Sequence, residues 1–251
     1  MKVEDVRLYT LASGVGGETG AEAEESQYWG GGWYNEIGQA NPLSGYDEPV
    51  SDRTYWQGPG QDPFAVEVEL SDGTVGEAAN YGGGRYACDI VDTHLRQFVE
   101  GANPFDTERI LDQMYRAQLP ADQGGLYHMA ISGVDLALWD AKGKVTGQPV
   151  YNLLGGRTSE EVPCYVTTHS SVMDHVADEG FVGAKLGMSH GPADGPGALD
   201  EVEATVAEAR ELFGPDAELM LECYMGWNKE FTVRASKRVK QYDVRFSGSA
   251  A

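Results

Sequence analysis

The sequence predicts an α+β domain over residues 1–157, followed by an incomplete β/α (TIM-type) barrel over residues 158–251. Three observations predict this fold class. Strand patterns flank an Asp-Gly turn early in the chain, and helical patterns follow them. Beyond Gly155-Gly156, short apolar runs alternate with helical patterns, which is typical of βαβ units and a parallel sheet. This alternation reaches only about a fourth strand, whereas a closed β/α barrel has eight.

The first domain starts with strands that we expect to form a small antiparallel sheet. Apolar and alternating runs predict them over residues 3–11, 64–70 and 74–79. Ser71-Asp72-Gly73 separates the last two strands and predicts a hairpin turn. Apolar residues at helical spacing predict helices over residues 86–100, 106–119, 124–145 and 149–154. The helix over 124–145 has the clearest pattern, with one face formed by Ile131, Val134, Leu138 and Ala141.

A long segment with little periodicity separates the first strand from the second. Residues 14–62 are rich in Gly, Ser, Asn, Pro and aromatic residues. A loop of this length within a compact domain is usually either functional or disordered. Aromatic residues are uncommon in disordered segments, so we expect a lid loop that belongs to the first domain. The alternative is an insertion without a defined structure.

The second domain shows strands and helices in regular alternation. We expect strands over residues 162–168, 181–186, 219–222 and 243–246. The helices between them are expected over residues 170–179, 198–213 and 229–242. One face of the middle helix carries Val202, Val206, Ala209 and Phe213, which indicates that this face covers a sheet.

A carboxylate ends one of the apolar strands. Leu219-Met220-Leu221 has the character of a strand buried on both faces, and Glu222 follows it directly. Such a carboxylate is costly unless it is paired with a charge or binds a metal. In a β/α barrel the carboxyl ends of the strands carry the chemistry. Glu222 is therefore either a metal ligand or a member of an ion pair, whereas Cys223 and Trp227 are expected to pack in the core.

The charge of the chain excludes some classes of partner. The chain carries 18 Lys and Arg residues against 40 Asp and Glu residues, which gives a formal net charge of −22. Such a surface disfavours nucleic acids and anionic membranes as partners and fits a high-salt cytoplasm. Cys88, Cys164 and Cys223 are widely spaced, which indicates free thiols. Without a signal-peptide pattern or a run of about 18 apolar residues, we expect a cytoplasmic protein.

Three stretches of the sequence resemble one enzyme family. Residues 124–156, GGLYHMAISGVDLALWDAKGKVTGQPVYNLLGG, resemble the last helix of the capping domain in the mandelate racemase/muconate lactonizing group of the enolase superfamily. Residues 180–195, GFVGAKLGMSHGPADG, and 219–225, LMLECYM, resemble the second and third barrel strands of its acid-sugar dehydratases, above all the L-rhamnonate dehydratases. The resemblance extends over nearly all of residues 1–246, and it identifies the predicted α+β domain as a capping domain.

The resemblance implies a Mg²⁺-dependent loss of water from a small-molecule acid sugar such as L-rhamnonate, through removal of the proton next to the carboxylate and an enediolate. Glu222 matches the first of three metal ligands, a position where the family more often has Asp. Lys185 matches a lysine that contacts the substrate carboxylate, and Arg53 matches an arginine of the lid that binds the acid sugar. Gly187 stands where racemases of this group have a second lysine, which fits a dehydratase.

Two histidines follow the predicted barrel strands. His190 is a candidate for contact with the substrate, and His169 follows the first barrel strand. A single histidine in a loop is more often an ordinary surface residue, which is the expectation for His169 and the alternative for His190. A surface position is also the alternative for Lys185 and Arg53, as solvated charges.

The resemblance also implies residues that the sequence does not show. The second metal ligand of the family would lie on the fourth strand in a Trp-x-Glu-Glu motif, where this chain has Val244-Arg245-Phe246-Ser247. The third ligand and the His-Asp base would lie beyond residue 251, so no catalytic residue is assigned within the chain. One carboxylate holds Mg²⁺ poorly. We therefore expect a C-terminally truncated fragment that is inactive alone and forms a homo-oligomer if it folds.

Two alternatives remain for the function. The first is a non-catalytic fragment that pairs with a complementary chain or with a homologue. A downstream reading frame with the missing ligands and base would distinguish it from the fragment of an enzyme. The second is a gluconate, xylonate or galactonate dehydratase of the same superfamily, which only the substrate profile of an intact relative would distinguish.

Overall fold

The computed structural model describes residues 1–10, 38, 40–46, 63–80, 82–120 and 124–246. The chain divides into two compact units, of which unit 1 combines residues of 1–16 and 57–160 and unit 2 combines residues of 17–56 and 161–251. The predicted boundary at residue 157 lies close to the observed one at Glu160. Each unit has its own sheet and its own hydrophobic core. No helix in the described ranges is both long and apolar enough to cross a membrane.

In the part of unit 1 that the structure describes, three strands form an antiparallel sheet. The strands are β1 (Val3–Thr10), β2 (Phe64–Leu70) and β3 (Val75–Asn80), and they are neighbours in this order. Each differs from the predicted strand by at most one residue at either end. The Leu70 N–H donates to the Thr74 carbonyl oxygen at 2.8 Å, and Gly73 has a φ of 84°. The predicted Asp-Gly hairpin is therefore confirmed, since glycine adopts this φ without steric cost.

Five α-helices lie among the described residues of unit 1. They are α1 (Gly84–Ile90), α2 (Arg96–Val99), α3 (Thr107–Gln118), α4 (Leu126–Thr146) and α5 (Val150–Leu153). A π-helical segment, Val91–Leu95, joins α1 to α2, so the uniform helix predicted over 86–100 is wrong in its middle. Such a segment rotates the apolar face slightly without changing its composition. The spacing of apolar residues therefore does not reveal it.

Helix α4 packs closely against β2 and β3. A Cβ atom on Gly76 would overlap the Ala137 carbonyl oxygen and would lie 2.6 Å from the Ala141 backbone nitrogen. A Cβ atom on Gly133 would lie 2.7 Å from the Phe64 ring. These two glycines let the backbones of helix and sheet approach each other. The predicted face of the helix is confirmed, because every one of its four residues is buried: Ile131, Val134, Leu138 and Ala141.

Unit 2 contains a parallel sheet of four strands within the described residues. The strands are β4 (Tyr165–His169), β5 (Gly183–Gly187), β6 (Glu218–Glu222) and β7 (Val244–Phe246), and they are neighbours in this order. The helices between them are α6 (Met173–Val176), α7 (Ala198–Phe213) and α8 (Lys229–Val239). The alternation of strand and helix confirms the predicted first part of a β/α barrel.

Several predicted boundaries in unit 2 differ from the observed ones, and β5 begins at Gly183 rather than at residue 181. Strand β4 begins at Tyr165 rather than at residue 162, because Pro163 has no N–H for a ladder, and it includes His169. The helix predicted over 170–179 shortens to α6, since the Val172 N–H donates to the His169 carbonyl oxygen at 3.0 Å and forms a turn instead. The helix predicted over 229–242 ends as a 3₁₀ turn, Lys240–Tyr242.

The two faces of the parallel sheet differ in character. Ala184, Leu186, Leu219 and Leu221 are fully buried in a core that they share with residues of α7 and α8. Side chains alternate between the faces along each strand. By register, the opposite face carries one row of His169, Gly187 and Glu222 and another of Thr167, Lys185 and Met220.

The described residues of the predicted lid, Gly38 and 40–46, belong to unit 2 and not to the first domain as predicted. The Ala40 N–H donates to the Met188 carbonyl oxygen at 3.0 Å, and Ala40 is fully buried in the core of unit 2. A Cβ atom on Gly226 would lie 2.7 Å from the carbonyl carbon of Ala40. Local patterns do not reveal this assignment, because the contacts join residues far apart in the sequence.

Replacing Gly76 with Ala tests the close packing of α4 on the sheet. We expect Gly76→Ala to lower the free energy of unfolding by about 2–3 kcal/mol, since the added methyl group must push the helix backbone away. Chemical denaturation followed by circular dichroism in molar KCl measures this change. Gly124→Ala is the control, because a Cβ atom there has nothing within 4 Å. Equal stability of the two variants would contradict the packing argument.

Candidate active site

Two of the predicted site residues form an ion pair on neighbouring strands of unit 2. Lys185 on β5 donates from Nζ to Glu222 Oε2 on β6 at 3.3 Å. The Lys185 side chain is 22% exposed and that of Glu222 is 13% exposed, so both charges lose much of their hydration. Pairing compensates for this loss. The ion-pair alternative for Glu222 is therefore observed, and its binding of a metal stays a prediction.

A strained turn holds the second carboxylate oxygen of Glu222. The Tyr224 N–H donates to Glu222 Oε1 at 3.1 Å. Tyr224 and Met225 have φ values of 45° and 60°, which cost a non-glycine residue about 1–2 kcal/mol each. The Gly226 N–H closes the turn by donating to the Cys223 carbonyl oxygen at 2.7 Å. One oxygen of Glu222 thus faces a cation, and the other faces a backbone donor.

His169, at the end of β4, is a residue of this site that sequence reasoning missed. The expectation of a surface histidine is wrong, because His169 is only 5% exposed and its Nε2 lies 2.7 Å from Ser189 Oγ. Burial lowers the pKa of His169 to about 4, and the nearby His190 adds to the decrease. The imidazole is therefore neutral near pH 7. The signal that could have identified it is a polar residue at the carboxyl end of a barrel strand, as for Glu222.

Gly187 provides space on the face of the parallel sheet that carries Lys185 and Glu222. A Cβ atom on Gly187 would lie 3.3 Å from the Tyr224 hydroxyl oxygen and 3.6 Å from His169 Cδ2. The absence of a side chain at this position therefore lets the His169 ring, from the end of β4, and the Tyr224 ring, from the turn after β6, approach the strand. A longer side chain would displace at least one of them.

The other predicted site residues are placed differently. Trp227 Nε1 donates to the His190 carbonyl oxygen at 2.7 Å, so His190 is held by its backbone. Within the part of the chain that the structure describes, no hydrogen bond joins the His190 imidazole to Glu222. Arg53 lies outside the described residues. Trp227 and Cys223 are buried as predicted, and burial raises the pKa of the Cys223 thiol.

The metal implied by the sequence requires more ligands than these residues supply. Mg²⁺ prefers a near-octahedral set of oxygen ligands. Among the residues that the structure describes, no group of three or more His, Cys, Asp or Glu side chains could hold a metal ion. Glu222 offers one carboxylate, which is paired with Lys185. The described residues therefore fit one position of a magnesium site and do not complete it.

Two family profiles match the chain. Residues 60–155 match the profile described as "Mandelate racemase / muconate lactonizing enzyme, N-terminal domain". Residues 169–247 match the profile described as "Enolase C-terminal domain-like". The first match covers most of unit 1, and the second begins at the end of β4 and covers β5, β6 and β7 of unit 2. The two matches correspond to the capping domain and the barrel that the sequence predicts.

The chain is similar to L-rhamnonate dehydratases along nearly its whole length. It is 38% identical over 248 residues to the L-rhamnonate dehydratase of Saccharopolyspora erythraea, and the match covers 98% of this chain and 60% of that protein. The crystal structure of rhamnonate dehydratase from Gibberella zeae complexed with Mg is 34% identical, with a TM-score of 0.82 over 97% of this chain and 58% of that chain. This chain thus spans about 60% of the length of the curated relative.

A more distant solved structure shows the fold alone. The 3,6-anhydro-D-galactonate cycloisomerase from Zobellia galactanivorans has a TM-score of 0.69 and 21% sequence identity over 98% of this chain and 58% of that chain. The two profiles match both units, and the L-rhamnonate dehydratases are similar to this chain in sequence and in fold. The chain belongs to the mandelate racemase/muconate lactonizing enzyme group of the enolase superfamily.

Proposed function

We propose that this chain forms the capping domain and the first barrel strands of a magnesium-dependent acid-sugar dehydratase. The observation that carries the proposal is the Lys185–Glu222 pair, 3.3 Å apart on neighbouring parallel strands. The names of the relatives make L-rhamnonate the first substrate to test. Because the chain spans 60% of the curated relative, the activity is proposed for this chain together with residues outside the described ranges.

Glu222 is proposed to supply one oxygen ligand to the metal. Carboxylate oxygens are ligands that Mg²⁺ prefers, and the Tyr224 N–H already orients this carboxylate at 3.1 Å. When bound, the ion would supply positive charge that stabilises the enediolate form of the acid sugar. The remaining ligands, and the base that removes the proton, are proposed to come from outside the described residues.

Lys185 is proposed to bind the carboxylate of the acid sugar. Its ammonium group has three donors, and Glu222 is its only acceptor within the described part of the chain, at 3.3 Å. Two donors are therefore available for a substrate oxygen. A cation at this position attracts the carboxylate and holds the adjacent carbon near the metal ligand Glu222.

The surroundings of Gly187 support loss of water rather than racemisation by a lysine. Racemases of this group have a second lysine where this chain has Gly187. The space above Gly187 is limited by the Tyr224 hydroxyl and by the His169 ring, which lie 3.3 Å and 3.6 Å from the position that a Cβ atom would occupy. A Cβ atom at this position would already crowd the Tyr224 hydroxyl, and strand β5 offers Lys185 alone as a cation.

The remaining ligands have two proposed sources, which are further residues of the same protein and a complementary chain. The complementary chain could also be a homologue that forms an oligomer with this chain. The net charge of −22 supports a high-salt environment, so the assays belong in molar KCl. Gluconate, xylonate and galactonate complete the substrate panel, because their dehydratases share the superfamily.

A dehydration assay tests the proposed activity. The chain carries an affinity tag, is expressed in its native host and is purified in molar KCl, so that any complementary chain is purified with it. We expect this preparation to convert L-rhamnonate to the 2-keto-3-deoxy acid with Mg²⁺, and a chelator to reduce turnover at least about 100-fold, because the enediolate then lacks its stabilising charge. The product is measured as its semicarbazone.

The recombinant 251-residue chain is the control for the source of the missing groups. We expect no turnover from it alone, because Glu222 is one ligand of several. Chelator-sensitive turnover by the recombinant chain would show that its own residues complete the site. Absence of turnover from both preparations with every acid sugar would contradict the proposed activity.

Substitution of Glu222 tests its role as a ligand. We expect Glu222→Gln to weaken the binding of Mn²⁺, a spectroscopic substitute for Mg²⁺, at least about tenfold, since the amide lacks the negative charge. Electron paramagnetic resonance of free Mn²⁺ measures the affinity in the native preparation. Glu218→Gln is the matched control, because Glu218 lies on the same strand and pairs with Arg245 at 2.6 Å. An equal effect of the two substitutions would argue against Glu222 as a ligand.

A further inference from the structure

The hydrogen bonds around His169 determine where its proton lies. The Ser171 N–H donates to His169 Nδ1 at 3.3 Å, and the Ser170 hydroxyl lies 3.3 Å from the same nitrogen. A backbone N–H can only donate, so Nδ1 is an acceptor and carries no proton. The imidazole is neutral, because burial lowers its pKa to about 4. The Ser171 hydroxyl oxygen also lies 3.4 Å from Nδ1. From the backbone donor we assign the single N–H proton to Nε2.

This tautomer determines the orientation of the Ser189 hydroxyl. Nε2 of His169 donates to Ser189 Oγ at 2.7 Å, so the serine oxygen is the acceptor of this hydrogen bond. The hydrogen of the Ser189 hydroxyl must then point away from the imidazole. Within the described ranges, this hydroxyl has no second hydrogen-bond partner. Ser189 thus presents a donor whose direction is fixed by His169.

Ser189 lies at the same edge of the sheet as the Lys185–Glu222 pair. It follows β5 by two residues, and it is half-buried. The N–H of the preceding residue, Met188, donates to the Glu222 carbonyl oxygen at 3.0 Å. The backbone next to Ser189 is therefore hydrogen-bonded directly to the backbone of Glu222.

We propose that the Ser189 hydroxyl donates a hydrogen bond to a hydroxyl oxygen of the bound acid sugar, and that His169 is the positioning residue that orients it. This inference rests on the proposed function. Lys185 attracts the carboxylate of the substrate, so the neutral donor is available for one of the hydroxyl groups that distinguish a sugar acid from a simple carboxylic acid. The pair His169–Ser189 then contributes to the choice of substrate.

Calorimetric titration of the native preparation with L-rhamnonate in molar KCl tests the role of Ser189. We expect Ser189→Ala to weaken binding roughly tenfold, the usual consequence of losing one hydrogen bond in a partly buried site. Ser189→Thr keeps the hydroxyl and is expected to restore most of the affinity. Ser236→Ala is the matched control, because the Ser236 hydroxyl donates within α8 to the Thr232 carbonyl oxygen at 2.7 Å.

The tautomer of His169 is measured separately, by long-range ¹H–¹⁵N correlation spectra of the ¹⁵N-histidine-labelled 251-residue chain. We expect a protonated Nε2 and an unprotonated Nδ1 near pH 7. The proposal requires this tautomer, whereas a histidine with a purely structural role could have either one. The spectrum of the His169→Gln variant assigns the signal.

The outcomes distinguish the two proposals. A protonated Nδ1, or unchanged affinity of Ser189→Ala in a preparation that binds L-rhamnonate, overturns the role of Ser189 and leaves the dehydratase proposal intact. Absence of binding of every acid sugar by the unaltered preparation overturns the proposed function, and the role of Ser189 with it. A tenfold loss in Ser189→Ala with recovery in Ser189→Thr supports both.

Discussion

The carboxylate of Glu222 is the constraint on which the candidate site depends. A charge that ends an apolar strand must be compensated where it lies. Lys185 supplies the opposite charge from the neighbouring strand, and the Tyr224 N–H supplies a hydrogen bond. That hydrogen bond accompanies two successive residues of positive φ, Tyr224 and Met225. The turn that they form ends at Gly226, whose lack of a side chain admits Ala40 and the described residues that follow it. The carboxylate, its turn and the backbone of Ala40 and Asn41 thus pack as one arrangement.

Local sequence patterns were sufficient where a structure depends on near neighbours. The run Leu219–Leu221 predicted β6, and the periodicity of residues 198–213 predicted α7 with the bounds that are observed. The same patterns placed Glu222 at the carboxyl end of its strand, where its pairing with Lys185 follows from the parallel register of β5 and β6. The bounds of these elements follow from apolar periodicity. The position of Glu222 beside Lys185 follows from the rule that the carboxyl ends of parallel strands lie at one edge of the sheet.

Long-range contacts determine the features that sequence patterns missed. The burial of His169 depends on Ser189, twenty residues further along the chain. The position of Ala40 depends on Met188 and Gly226, which no pattern within residues 14–62 encodes. The π-helical segment at Val91–Leu95 keeps the apolar composition of a regular helix and changes only its hydrogen bonding. In each case the residue types were visible in the sequence, whereas the contacts that give them their roles were not.

The polar groups at this edge of the sheet fall into two kinds. Lys185 and Glu222 are charged, and each loses hydration that only another charge, a metal ion or a charged substrate group restores. His169 and Ser189 are neutral at pH 7, and one hydrogen bond joins them without any charge to compensate. An acid sugar has the same two kinds of group, a carboxylate at one end and hydroxyls along the rest. The separation of charged and neutral groups therefore supports the proposal that the substrate is an acid sugar.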